Sequence, residues 1–99
     1  MEISISQQII PKDFKYFKQI SKKFESNIIP HIGDKITDSF FKDPIEYDVV
    51  ECIIDYQENK CEIFLSPLSV ETESEVNYQV DIAKSHGWET LTGGLNHEW

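Results

Sequence analysis

Arginine is missing altogether: all nine basic residues are lysines. The planar fork of arginine is the usual device for reading guanine edges and clamping phosphates in a bidentate grip. Its absence weakens any reading as a nucleic-acid or phosphate-transfer protein. Glycine is scarce, at four residues, and no Gly-x-Ser-x-Gly elbow or phosphate-cradling glycine loop occurs. No apolar run approaches the roughly 18 to 20 residues that a membrane helix requires. The opening Met1-Glu2-Ile3-Ser4 has neither the basic head nor the apolar block of a secretory signal, so a cytoplasmic location is expected.

Acidic residues are plentiful. Net charge is −9, but it is unevenly spread. Up to Lys23 five lysines face Glu2 and Asp13, giving +3; from Phe24 onward four lysines face sixteen acids, giving −12. Such a body repels nucleic acid and anionic membrane and favours basic protein surfaces. With 39% hydrophobic and 12% aromatic residues, the chain has globular rather than disordered composition. Its 99 residues fit one domain with a modest core. We place that domain at 1–91 and expect 92–99, with its glycine pair and terminal tryptophan, to be a flexible tail.

The organising stretch runs from Tyr47 to Leu68 and reads as a β-hairpin. Tyr47–Tyr56 and Cys61–Leu65 are strand-like, and Gln57-Glu58-Asn59-Lys60 is the polar break between them. A two-residue turn at Glu58-Asn59 would pair Tyr56 with Cys61, Ile54 with Ile63 and Cys52 with Leu65. Cys52 and Cys61 would then lie about 13 Å apart at about 3.3 Å per residue. A disulfide needs Cα atoms within about 7 Å. Two buried, reduced thiols are therefore expected, as in a reducing compartment.

Alternation at Ile3 and Ile5 predicts a first strand over 2–10, stopped by Pro11. At 100° per residue, Phe14, Phe17, Ile20 and Phe24 share one arc and the lysines oppose them, which predicts a helix over 11–25. Pro30 and Gly33-Asp34 frame a turn, followed by a short strand over 35–40 and a loop over 41–46. Over 73–86 two patterns compete. Val76, Tyr78, Val80 and Ile82 alternate as in a strand. The helix signals outweigh them: a capping box at Thr72-Glu73-Ser74-Glu75, Lys84 and His86 near the end, and Gly87 as the left-handed residue before Trp88. The buried stripe would be Val76, Val80 and Ala83. A last short strand is expected at 88–91.

These elements add up to an α+β fold. We expect a small, mainly antiparallel sheet of three to four strands, in the order β-α-β-β-β-α, with two packed helices. Val49, Ile53 and Phe64 would occupy a second apolar face of the hairpin. That face needs cover from a helix or, as a dimer face, from a second copy.

No catalytic constellation stands out. Cys52, Cys61, His31, His86 and His97 lack metal-ligand spacing, and no cofactor motif is present. Thiols buried without a cationic neighbour keep a high pKa, which argues against nucleophilic catalysis. The balance is against an enzyme. The expected function is a small acidic protein-binding module, an adaptor or inhibitor, presenting Asp48, Glu51, Asp55, Glu58, Glu62, Glu71, Glu73 and Glu75 to a basic protein surface. In its sharper form it would mimic nucleic acid towards a basic target. The alternative is a small-ligand-binding protein or enzyme subunit, with a pocket near His86 and Trp88.

Overall fold

The computed structural model describes residues 1–12, 17–40 and 46–90. The chain runs through β1 (Glu2–Pro11), β2 (Lys18–Glu25), β3 (Lys35–Ile36), β4 (Tyr47–Asp55), β5 (Lys60–Leu65), β6 (Leu68–Val70), α1 (Glu73–Ser85) and β7 (Glu89–Thr90). The seven strands among the described residues join one mixed sheet that curls into a half-barrel, in the order β3-β4-β5-β1-β2-β7 with β6 also paired to β1. The expected α+β fold, with two helices on a three- to four-stranded sheet, is corrected. The molecule is mostly sheet, with one helix among the described residues.

The largest difference from the expected fold lies within 11–25, where the sequence pattern predicts a helix. Lys18–Glu25 is a strand, paired antiparallel with β1 from Glu2↔Glu25 to Ile9↔Lys18. Ile20 and Phe24 share a face by the two-residue period as well as by the helical one, so their spacing does not discriminate. What concealed the strand is Lys22, which stands between them on the inward face and breaks the apolar alternation. Its ammonium is received there by Asp38, at 2.8 Å. Pairing with an isoleucine-rich neighbour then overrides the local helical pattern. Phe14 lies outside the described residues.

β1 is the spine. It pairs with β2 on one side and, in parallel, with β5 and then β6 on the other. A strand flanked on both sides must bury its apolar side chains, and Ile3, Ile5 and Ile9 are buried. The parallel ladder breaks where Ser66-Pro67 separates β5 from β6. Buried Gln7 bridges the gap, its Nε2 donating to the Ser66 carbonyl at 3.0 Å.

One face of the sheet is covered by α1. Thr72 caps the helix, its Oγ1 accepting from the Glu75 N–H at 3.3 Å. The end is a Schellman arrangement: Trp88 N–H donates to the Ala83 carbonyl and Gly87 N–H to that of Lys84. Gly87 sits at φ +90°, where a side chain would be strained. Val76, Val80 and Ala83 are the buried stripe, as the sequence predicts, and they pack with Ile3, Ile20, Ile63 and Trp88 in the core.

The hairpin at 47–65 forms, but its register is corrected. Ile54 pairs with Cys61 and Cys52 with Ile63, two residues from the expected match. The turn holds four residues rather than two, because the Asp55 carboxylate accepts from the backbone N–H groups of Gln57 and Glu58 at 3.0 and 3.1 Å. Asn59 closes the turn at φ 56°. A register shift between Val49 and Glu51 marks a bulge at Val50. It turns Val49 into the core, 1% exposed, while Ile53 remains on the opposite face. The second apolar face is thereby reduced to Ile53 and Phe64, which removes the need for a second helix.

Candidate functional site

Register assigns each strand residue to a face. On the face away from α1, cross-strand pairing sets side chains in rows. The row nearest the hairpin turn is Asp55, Lys60, Glu2 and Glu25. The next is Ile53, Glu62, Ser4 and Lys23, followed by Glu51, Phe64, Ser6 and Ser21. Among the described residues no helix or strand crosses these rows. Glu2, Glu25, Glu51 and Glu62 are exposed and Asp55 is half-buried. Glu58, also exposed, lies in the turn beside the start of β1, where the Glu2 N–H donates to the Asn59 carbonyl at 3.1 Å.

The eight acids singled out from sequence are thus divided. Glu51, Asp55, Glu58 and Glu62 come together at the hairpin. Asp48 stands near them but is engaged by Lys35 at 2.7 Å, contact that raises the lysine's pKa. Glu71, Glu73 and Glu75 lie at the other end of β1, beyond the Pro11–Val70 pair, and Lys12 meets Glu71 at 2.9 Å. The nine-residue step along β1 separates the two groups by roughly 30 Å. Glu2 and Glu25 join the hairpin group and were missed from sequence. A helix over 11–25 would hold Glu25 away from β1, and the long-range pairing of Glu2 with Glu25 brings it there.

His86 and Trp88 occupy a packed corner. Trp88 is 3% exposed and meets Phe40 edge to face, with ring centroids 6.0 Å apart. Its Nε1 donates to Asp38 Oδ2 at 2.9 Å, and the Phe40 N–H donates to the same oxygen at 3.0 Å. His86 Nδ1 is hydrogen-bonded to Ser39 Oγ at 2.9 Å. The Asp38–Phe40 segment thus fills the space beside the two residues proposed as a pocket. Burial pushes the Asp38 pKa up, but the Lys22, Trp88 and Phe40 donors more than offset it and hold the carboxyl below its ordinary value. Asp38, the centre of this corner, has no local signature; its partner Trp88 is 50 residues away.

The two cysteines sit closer than expected. The shifted register sets Cys52 and Cys61 diagonally across the ladder, with sulfurs 3.6 Å apart, and both are free thiols. The expected separation of about 13 Å, which rested on the unshifted register, is corrected. Cys61 is fully buried, whereas Cys52 is half-buried and its thiol donates to the Pro30 carbonyl at 3.4 Å. Burial, then the hydrogen bond with Cys52, pushes the Cys61 thiol up to about 11. A protonated thiol is a poor nucleophile, so Cys61 is inert near neutrality.

Two clefts stand out among the described residues. One of about 260 Å3 lies at the ladder break and is lined by Gln7, Gln19, Glu51, Phe64 and Pro67 among others. A larger one, about 450 Å3, lies between the inner sheet face and the segment leading to β3, lined by Ile5, Phe24, Ile28, Pro30 and Ile36. Its two lysines, Lys22 and Lys35, are already engaged by Asp38 and Asp48. Among the described residues no group of three or more metal-ligating side chains converges, and no helix is long and apolar enough to cross a membrane. Comparison with known proteins gives no matching family model, no significantly similar curated protein and no significantly similar solved structure.

Proposed function

We propose that this protein is a small acidic protein-binding module that engages a basic protein surface through the open sheet face and the β4–β5 hairpin. The supporting observation is the gathering of Glu2, Glu25, Glu51, Asp55 and Glu62 into adjacent rows, where the cations among the described residues are Lys23, Lys60 and the Met1 ammonium, the last 3.4 Å from Glu25. Residues distributed over about 60 positions of sequence would meet a partner as one negative surface. Ser4 lies between Glu62 and Lys23, Ser6 and Ser21 are buried at the far end of the third row, and Ile53 and Phe64 are apolar contacts in the same rows. A charged rim around a small apolar centre suits specific association, with electrostatic complementarity speeding the encounter.

The partner's chemistry follows: a protein with a lysine- or arginine-rich surface. A target that binds nucleic acid through that surface would make this module a mimic of nucleic acid, and competition would show it. The test is affinity capture followed by a salt gradient from about 0.05 to about 0.5 M, over which the Debye length shrinks severalfold. The expected result is a basic partner whose retention falls steeply with salt. Retention independent of salt contradicts the electrostatic reading.

A further inference from the structure

The outer edge of the sheet at β4 is unpaired over most of its length. β3 pairs only with Tyr47 and Asp48, and the Gly33-Asp34 turn takes both backbone groups of Val49. Among the described residues no strand pairs with β4 beyond that point on its outer side. Backbone alternation then identifies the free groups. The Asp48 carbonyl faces inward to Ser66 and Val49 faces outward; with Val50 absorbed by the bulge, outward positions recur at Cys52 and Ile54. Their two N–H and two C=O groups are a template for an added strand. The flanking side chains are apolar and accessible: Ile53 is 47% and Ile54 37% exposed.

Charge decides the occupant. A second copy using all four groups would pair Cys52 with Ile54 of the other chain, which sets Glu51 opposite Asp55 twice over. Like charges directly opposite each other oppose such pairing. An opposite strand carrying bases at those two places replaces both repulsions with attractions.

We propose that the β4 edge from Glu51 to Asp55 accepts an extended basic segment of a partner protein as an additional antiparallel strand. The segment that fits has a base opposite Asp55, three apolar or β-branched residues opposite Ile54, Ile53 and Cys52, and a base opposite Glu51. This inference rests on the acidic-module reading and names the docking mode within it.

The test uses the full chain and synthetic peptides whose five-residue core is lysine–valine–threonine–valine–lysine. A second peptide has the same sequence with N-methyl groups on the backbone amides that would face β4. A third has glutamate for lysine. Amide hydrogen exchange at Cys52 and Ile54 and binding affinity are measured at low salt. The expected result is at least about tenfold slower exchange at both amides with the first peptide, and at least about tenfold weaker binding of the other two. Equal binding of the first two peptides without protection overturns the added strand while leaving the acidic-module reading intact. Failure of every basic peptide to bind overturns both. Concentration-dependent protection of the same amides without peptide overturns the basic occupant in favour of a second copy. Ile54→Pro, which removes an outward N–H at an edge position, is expected to abolish the protection at Cys52 and weaken binding of the first peptide.

Discussion

On the covered face of the sheet, Asp38 directs one carboxylate oxygen at Lys22 and the other at Trp88 and the Phe40 N–H. On the open face, Glu2, Glu51 and Glu62 stand exposed in three successive rows. The same residue type serves two ends. A carboxylate surrounded by donors fixes the β2, β7 and helix ends of the fold. Carboxylates presented to water supply a negative field, the feature on which the proposed association rests. Substitutions on the first face should therefore act on stability, and substitutions on the second on association.

Trp88→Ala sharpens this contrast most. It removes a buried indole together with the Asp38 and Phe40 contacts, and a loss of about 3–5 kcal/mol is expected in urea unfolding. Asp38→Asn should cost about 1–3 kcal/mol, because Lys22 loses its counter-charge in a partly buried setting. It should also change the acid limb. The Asp38 pKa is lowered in the fold, so its contribution is present above its ordinary value and disappears as pH falls through the folded one. Stability measured against pH should lose part of its acid dependence in the variant; an unchanged acid limb would contradict the assigned role.

Cys61 provides the alkaline counterpart. The folded pKa of Cys61 is raised from 9.0 to about 11, so its contribution is complete below pH 9 and is lost as pH rises through that window. Tyr47, raised by burial, adds a loss in the same direction at its upper end. Cys61→Ala is expected to flatten the decline between pH 9 and 11 in thermal unfolding. Among the helix signals, Thr72→Ala should cost about 1 kcal/mol, through the cap lost at the Glu75 N–H. Gly87→Ala should cost a similar amount, about 1 kcal/mol, from strain at positive φ rather than from crowding, since the nearest neighbour, Lys22 Cε, would be 3.5 Å from the new Cβ. The smallest stability effects belong to the open face. Glu51→Gln and Glu62→Gln should each stay within about 0.5 kcal/mol of the parent.

Legibility in the sequence followed the range of the interactions. The helix at 73–85 was readable down to its buried stripe, because the cap, charge bias and C-terminal glycine all lie within one short segment. The strands of the 47–65 hairpin were readable from their composition, but their register was not. It depends on Asp55 capping a longer turn and on a bulge at Val50, and neither leaves a periodic trace. β2 was unreadable as a strand because Lys22 occupies an inward position that only Asp38, 16 residues on, makes tenable. The acidic surface was half visible. Glu51, Asp55, Glu58 and Glu62 are neighbours through a local hairpin, whereas Glu2 and Glu25 reach the same face through β1, which pairs with both β2 and β5.

The most direct measurement compares matched charge removals at the two ends of the molecule. Glu51→Gln with Glu62→Gln alters the hairpin group, and Glu73→Gln with Glu75→Gln alters the helix group by the same net charge. Capture of a basic partner by each protein at low salt should be lost or weakened at least about tenfold for the first pair and nearly unchanged for the second. Equal loss for both pairs would mean that net charge alone drives association. Loss confined to the second pair would place the binding surface at the opposite end of the sheet and contradict the account.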